Sequence, residues 1–213
     1  MSRTTEETAS LAHYNTLRQR ILAGEITPDM RLYESSLTTE LGTSRTPIRE
    51  ALAMLERDGI LKRERRGYRV HERTPQEVLD YFDVRNALES ASAEAAALRA
   101  TELERAEMVV MLKAAAAEQD PERRARIHNE WHRALLRASH NPALAEFVDR
   151  AEVLISLKRK PWQDSVAGSG QSQDEHQAVL DAVLARDPEL ARRLMAAHMS
   201  RARDHQLTLL TAR

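Results

Sequence analysis

The sequence contains no cysteine, and it has only 6 glycines and 7 prolines among 213 residues. Without cysteine, a disulfide framework, a thiolate metal site and a cysteine nucleophile are all excluded, so any metal would need histidine and carboxylate ligands. Aromatic residues make up only 4% of the chain, which argues against a β-sandwich or β-barrel. No apolar run approaches the roughly 20 residues of a membrane span, and residues 1–10 are too polar for a signal peptide. We therefore expect a cytoplasmic protein.

The residues that are present describe a folded, helical chain. Hydrophobic residues amount to 42% and charged residues to 31%, with 32 Lys and Arg against 33 Asp and Glu. This balance excludes a disordered or collagen-like protein. Alanine, leucine, arginine and glutamate predominate, and all four are strong helix formers. The composition predicts a mostly α fold.

The N-terminal part, residues 1–73, has the pattern of a winged helix-turn-helix. Three successive helical segments each end at a glycine, namely Gly24, Gly42 and Gly59. Two short extended segments then flank Arg65-Arg66-Gly67, where the glycine can take the positive φ that a tight turn requires. The pattern predicts a small β-hairpin wing behind the helices.

The remaining residues, 74–213, are expected to form an all-α bundle of about six helices. The boundary falls near residue 73, because Thr74 and Pro75 provide an N-cap and a first-turn proline for a new helix. Similar helix-start signals recur further along the chain, at Thr101, Asp120, Asn141, Ser172 and Asp187. The stretch from Pro161 to Gln173 is rich in Gly, Ser and Gln and is expected to be irregular.

The segment after Gly42 predicts a helix with two different faces. Ile48, Ala51, Leu52 and Leu55 form an apolar stripe, while Arg45, Thr46 and Arg49 cluster beside it. Arginine can pair bidentately with guanine, and the N-terminal turn of such a helix fits the major groove of DNA. A helical hairpin with ordinary surface arginines is the alternative that the residues alone leave open.

Three segments resemble the GntR family of bacterial transcriptional regulators: Thr43–Leu52, Asp58–Leu61 and Gly67–Val70. The first contains the motif Ser-Arg-Thr-Pro-Ile-Arg-Glu-Ala-Leu. The resemblance covers residues 12–71 and implies a winged helix-turn-helix that binds operator DNA. By the same resemblance the DNA contacts are assigned to Ser44, Arg45, Thr46 and Arg49, with Gly67 at the wing tip. Arg66 is a further candidate because the wing arginines lie where an adjacent minor groove or the DNA backbone would run. The chain departs from the family pattern at Asp29-Met30 and at Ser35, so the operator sequence does not carry over.

Four of the 8 histidines have a suggestive arrangement in the C-terminal part. His128 and His132 stand at i and i+4 on one predicted helix, so both rings project from one face and could share a cation. His176 and His198 lie on two later helices. Such a pair also occurs by chance on surface helices, so spacing alone leaves a metal undecided.

Residues 75–210 resemble the FCD effector domain of the FadR subfamily. The resemblance rests on Glu130–Leu135, Ala138–Pro142, Glu175–Val179 and His198. The resemblance implies a divalent metal held by His132, His176 and His198. His128 stands where that family has an aspartate, which implies an all-histidine site that prefers Zn or Ni. The implied effector is a small carboxylate that binds at the metal.

Arg85, in the run Val84–Glu89, is implied by the same resemblance as the partner of the effector carboxylate. The alternative is a surface or interface arginine paired with Glu89 at i+4. Arg159 and Gln173 are weaker candidates for effector contacts.

Together these patterns predict a homodimeric, ligand-responsive transcriptional repressor and not an enzyme. Two copies are expected because one recognition helix reads only half of a two-fold operator. Two alternatives remain. A metal-dependent hydrolase could use the four histidines, although no His-Glu-x-x-His motif is present. A DNA-binding protein could also carry a purely structural metal.

Overall fold

The structure is a computed structural model that describes residues 2–157 and 170–211, with side chains described over 9–157 and 171–211. Within these ranges the chain forms nine helices and one two-stranded antiparallel sheet. The mostly α class predicted from composition is confirmed. The described residues divide into two compact units, 2–74 with 153–157 and 75–152 with 170–211. None of the helices in the described ranges has the length and apolar character needed to cross a bilayer.

The first unit contains three helices and the sheet. The elements are α1 (Ser2–Leu22), α2 (Glu34–Glu40), α3 (Arg45–Arg57), β1 (Leu61–Arg63) and β2 (Tyr68–Val70). Its core is formed by the apolar stripe of α3, whose Ile48, Leu52 and Leu55 are fully buried, together with Leu17 of α1. The stripe at i, i+4 and i+7 therefore packs as its helical period predicts, and the neighbouring face of α3 stays at the surface.

The predicted wing is present, and its turn depends on Gly67. β1 and β2 pair antiparallel with Lys62 opposite Arg69, and Leu32 adds a bridge through reciprocal backbone hydrogen bonds with Tyr68 of 2.8 and 2.9 Å. Gly67 has a φ of +82°, and a Cβ atom there would lie 2.3 Å from the carbonyl oxygen of Leu32. Only glycine fits this position without moving backbone.

The second unit contains six helices, as expected. They are α4 (Pro75–Arg99), α5 (Glu102–Ala117), α6 (Pro121–Ala138), α7 (Pro142–Ser156), α8 (Gly170–Leu184) and α9 (Pro188–Thr211). α4 packs along α9 and against α6, while α8 packs against α5 and α9. Small residues on α4, including Ala93 and Ala96, are fully buried and allow these helices to approach closely. The result is a core lined by α4, α5, α6, α8 and α9.

Most of the predicted helix starts are observed. Thr101 and Glu104 form a capping box, and the side chains of Asp120 and Asp187 accept backbone N–H groups of α6 and α9. One start is wrong: α8 begins at Gly170, so Ser172 lies inside the helix and is fully buried. The expected irregular stretch is correspondingly shorter, because residues 170–173 are helical. Its remaining residues, with the candidate Arg159, lie outside the described part of the chain.

Candidate DNA-reading surface and histidine centre

The exposed face of α3 carries the arginines predicted to read DNA. Arg45 and Arg49 are exposed one turn apart, while Pro47 and Ile48 between them are buried. Within the described residues neither arginine forms an ion pair. The neighbouring carboxylate of Glu50 accepts a hydrogen bond from the hydroxyl of Ser10. Ser44 occupies the N-cap position and is exposed, and Thr46 is partly exposed. The helix thus presents two unneutralised cations and two hydroxyls at its N-terminal turn.

The wing has both neutralised and free arginines. Glu64 Oε2 lies 2.8 Å from Arg31 Nη2 and 3.3 Å from Arg69 Nε, so one carboxylate holds two cations. Arg65 and Arg66, in the turn, are exposed and have no ion pair among the described residues. The wing tip therefore offers positive charge of the kind that contacts DNA phosphates or the minor groove.

In the second unit three histidines from three helices meet in the core. His132 of α6, His176 of α8 and His198 of α9 are all buried. The Nε2 atom of His176 lies 3.0 Å from Nε2 of His132 and 3.1 Å from Nε2 of His198. All three ligand atoms lie within 4.8 Å of one another, so this group could hold one metal ion.

Two carboxylates lie behind these rings and set their tautomers. Glu89 Oε2 is 2.6 Å from Nδ1 of His132, and Glu175 Oε2 is 2.9 Å from Nδ1 of His198. A carboxylate at this distance requires a proton on Nδ1, which leaves Nε2 as a lone pair. The Nε2 lone pairs of His132 and His198 therefore both face Nε2 of His176, and a cation could bind to this set of nitrogens. Carboxylates behind metal-binding histidines commonly play this orienting part.

Burial keeps the three rings neutral. It lowers the pKa of His132, although Glu89 opposes the shift, and it lowers the pKa of His198 to about 4. Burial, reinforced by the neighbouring histidines, lowers the pKa of His176 well below its usual value. Burial alone would raise the pKa of Glu89, but the charge of Arg85 and the hydrogen bonds from His132 and Arg85 outweigh it and lower that pKa. Neutral imidazoles backed by ionised carboxylates are suited to binding a divalent cation.

The fourth predicted ligand, His128, does not join this group. Its Nε2 atom lies 2.8 Å from Oε1 of Gln173, and its ring stands edge-on to that of His176 with centroids 4.5 Å apart. Neither of its nitrogens belongs to the set of converging ligand atoms found among the described residues. The i, i+4 spacing thus brings His128 beside the centre without bringing it into the ligand set.

Arg85 contacts two carboxylates at once. Its Nε atom donates to Glu89 Oε1 at 2.8 Å, and its Nη2 atom lies 3.3 Å from Glu152 Oε1. The pairing with Glu89 at i+4 was the alternative considered from the sequence. Since Glu89 also faces His132, Arg85 lies one residue away from the histidine centre.

Comparison with known proteins decides the family. Residues 10–70 match the model of the bacterial regulatory proteins of the gntR family, and residues 80–201 match the FCD domain. The chain belongs to the GntR family and carries an FCD domain. The resemblance inferred from the sequence motifs is therefore confirmed.

Relatives of known name agree with this assignment. The HTH-type transcriptional repressor GlaR of Escherichia coli (strain K12) is 31% identical over 202 residues, covering 89% of this chain and 92% of that protein. The galactonate operon transcriptional repressor of the same organism is 30% identical over 202 residues, covering 83% and 87%. The solved structure of E. coli McbR/YncC has the same fold, with a TM-score of 0.71 at 22% identity, covering 94% of this chain and 98% of that one.

The chain is therefore a transcriptional regulator of the GntR type and not an enzyme. Family membership removes the metal-dependent hydrolase as an alternative. It also gives the winged helix-turn-helix its general function, which is binding to DNA.

Sequence reasoning assigned no role at the centre to either carboxylate. Glu89 was considered only as a partner of Arg85, and Glu175 only as part of a segment that resembles the FCD domain. A signal was present for Glu89: it follows Phe82 by seven residues and precedes Ala93 by four, so it occupies the buried stripe of α4. A glutamate at a core position needs charged or hydrogen-bonding partners. Arg85 and His132 had both been singled out from the sequence and were candidates for that role.

Proposed function

We propose that this regulator is a homodimeric, ligand-responsive repressor in which a small carboxylate at a histidine-held metal controls operator binding. The metal ligands are His132, His176 and His198, with Zn²⁺ or Ni²⁺ as the expected ion. The DNA-binding part comprises residues 1–73, and the effector-binding and dimerising part comprises residues 74–213. Because the proposed target is operator DNA, we also propose a cytoplasmic location.

The DNA-binding role is supported by the exposed face of α3 and by the wing. The proposed contacts to bases and phosphates are Ser44, Arg45, Thr46, Arg49, Arg66 and Gly67. A dimer follows from the geometry of such readers, because two recognition helices related by a two-fold axis match the two halves of a palindromic operator. Repression is proposed because GlaR and the galactonate regulator are both named as repressors.

The convergence of three imidazole Nε2 atoms, with carboxylates facing two of the opposite nitrogens, carries the metal proposal. This arrangement offers buried imidazole nitrogens to a cation, and the lone pairs of His132 and His198 both face Nε2 of His176. The donor set also fits the ion. Histidine nitrogens are preferred ligands of Zn²⁺ and Ni²⁺, whereas Mg²⁺ and Ca²⁺ prefer oxygen.

The effector proposal combines the metal with nearby charge. A divalent ion held by three neutral imidazoles keeps its full charge and attracts an anionic ligand. Glu89 lies between Arg85 and His132. Arg85 would pair with the effector carboxylate if that carboxylate replaced Glu89 or Glu152 as its partner. Galactonate, the acid in the name of one relative, belongs to this class of compound.

Fluorescence anisotropy of operator DNA tests the proposal. The operator is first selected from random DNA by the metal-loaded protein, and titrations are then repeated with hydroxycarboxylates, including galactonate and lactate. A regulatory ligand should change the DNA affinity by about 5- to 150-fold, the usual range of allosteric coupling. By reciprocity, operator DNA must change the affinity for that ligand by the same factor.

Five variants separate the parts of the proposal. Replacing His132, His176 or His198 by Ala should lower the metal content below one ion per chain, whereas replacing the exposed His140 should not. Arg85→Ala should weaken effector binding and leave effector-free DNA binding unchanged. Elemental analysis that finds no metal in reconstituted wild-type protein would refute the metal, and equal effector affinity with and without operator would refute the coupling.

A further inference from the structure

Gly59, the residue after the C-cap of α3, is contacted by two segments that are distant from it in the sequence. Arg73 is buried, and its Nη2 atom donates to the carbonyl oxygen of Gly59 at 2.5 Å. Leu154 of α7 is also buried, and a Cβ atom added to Gly59 would lie 3.6 Å from its Cδ2 atom. The end of α3 is therefore held by a cation on one side and an apolar side chain on the other.

The contact with Arg73 ties that side chain closely to the end of α3. Its guanidinium places positive charge at the C-terminal end of the helix, where the backbone carbonyls carry negative partial charge. A Cβ atom at Gly59 would lie 2.8 Å from Nη2 of Arg73, so a side chain at this position would displace the guanidinium. Leaving a buried guanidinium without this acceptor would be costly. We therefore expect Arg73 and the end of α3 to move together.

Both segments lie beside a point where the chain passes from one compact unit to the other. Within the described residues these points are 74–75 and 152–153. Arg73 stands just before the first point, and Leu154 stands just after the second. Each contact with Gly59 therefore lies inside the first unit, and only the covalent chain connects these contacts to the second unit.

In the second unit both continuations of the chain lead to Arg85. α4 begins directly after the first point and carries Arg85. α7 is one uninterrupted helix across the second point, and Oε1 of its Glu152 lies 3.3 Å from Nη2 of Arg85, two residues before Leu154. Because successive residues of a helix are joined by hydrogen bonds, a displacement of Glu152 also displaces Leu154. Arg85 is thus linked to Gly59 by two routes.

We propose that Arg73 and Leu154 are positioning residues that carry the state of the effector site to the end of α3, with Gly59 as the point of contact. The effector at Arg85 rests on the proposed function. Arg45 and Arg49 stand on the same helix, so a shift of its end changes how they meet DNA. By reciprocity, fixing α3 on operator DNA must act back on α7. This reverse direction can be measured without knowing the effector.

Hydrogen–deuterium exchange of the full-length, metal-loaded protein tests the inference, with operator DNA as the only added ligand. The DNA is the operator selected from random sequences, at a concentration that saturates each variant. Arg73→Met removes the donor at similar side-chain length, Arg73→Lys keeps the charge, and Leu154→Ala removes the packing. Arg20→Met is the matched control, because Arg20 lies in the same unit and forms its ion pairs with Glu25 and Glu40.

In the wild type and in Arg20→Met, operator DNA should slow the exchange of α3 and should also change the exchange of residues 142–152, the part of α7 in the second unit. In Arg73→Met and Leu154→Ala, the DNA should still slow the exchange of α3, but the change in residues 142–152 should be lost. Arg73→Lys should retain it. A merely structural role would raise exchange without DNA and leave the operator-induced difference in place.

Two results would overturn the inference when α3 is protected by DNA. One is unchanged exchange of residues 142–152 in the wild type, and the other is a change that persists in Arg73→Met and Leu154→Ala, as direct shielding by DNA would produce. If one of these variants does not fold, the other decides. Absent protection of α3 would instead overturn the proposed DNA-reading surface. A failure of every carboxylate to alter operator affinity would overturn the proposed effector, whereas the route from α3 to α7 would stand.

Discussion

Glu89 places its Oε2 atom 2.6 Å from Nδ1 of His132 and accepts a 2.8 Å hydrogen bond from Arg85 on Oε1. One buried carboxylate thus serves a proposed metal ligand and a proposed effector partner at once. Arg85 in turn reaches Glu152 of α7, at 3.3 Å. A metal bound at the proposed site would therefore be linked to Arg85 through a single side chain.

Glu89→Gln should lower the metal affinity by about 10- to 100-fold, the usual effect of removing a carboxylate behind a histidine ligand. The amide keeps the shape of the side chain but not the charge that orients His132. Glu94→Gln is the control, because Glu94 lies on the same helix and pairs with Arg192 at the surface. Competition with a chromophoric chelator measures both. Equal affinity in the two variants would show that the carboxylate does not support the ligand.

Replacing Arg45 or Arg49 by Ala should cost about 1–3 kcal/mol of operator affinity, the range for one bidentate contact to a base. Both side chains are exposed and have no ion pair in the described part of the chain, so folding should be unaffected. Arg126→Ala, an exposed arginine of α6, is the control. Anisotropy with the selected operator gives the affinities, and circular dichroism checks the fold. Operator binding at wild-type strength in both variants would place the reading face elsewhere.

Gly67→Ala should destabilise the wing by more than the 1–2 kcal/mol or so that a positive φ alone costs an L-residue. The added Cβ would lie 2.3 Å from the backbone carbonyl of Leu32, which cannot move without breaking its pairing with Tyr68. Gly24→Ala separates the two effects, because Gly24 also has a positive φ, +77°, but nothing within 4 Å of the new atom. Urea unfolding compares the variants. Identical midpoints would mean that the turn relaxes at no cost.

The stability of the metal-free protein should fall as the pH drops from about 6.5 towards 4. Burial lowers the pKa of His132, His176 and His198 in the folded state, that of His198 to about 4, whereas the unfolded chain takes up protons near 6.5. The unfolded state therefore binds more protons in this range, so acid favours unfolding. The slope is about 1.4 kcal/mol per pH unit for each extra proton.

Urea titrations at several pH values, with a chelator present, measure this slope. Burial raises the pKa of Glu152, which acts in the opposite direction, but only as a single group. His198→Gln should flatten the curve, since it removes one of the three titrating rings. A free energy of unfolding that stays constant between pH 6.5 and 4 would contradict neutral, buried histidines.

Local pattern alone was enough to predict the fold class, the wing and the exposed face of α3 that carries Arg45 and Arg49. The apolar stripe of α3 and the cap at Thr101 involve residues within one or two helical turns, where the period of 3.6 residues determines which side chains share a face. The predicted start of α8 at Ser172 was wrong because the helix begins two residues earlier, at Gly170. Such boundaries depend on what the first turn packs against.

Local pattern could not predict which histidines converge, because that depends on distances between helices. His132 and His176 are 44 residues apart, and His128 and Gln173 are 45 apart, so no local period relates them. The spacing of His128 and His132 placed both rings on one face of α6. Only the packing of α8 against that face decided that Gln173 holds the first ring, while the second joins His176. Which partner a buried histidine takes is decided by the side chains that the other helices bring within hydrogen-bond distance.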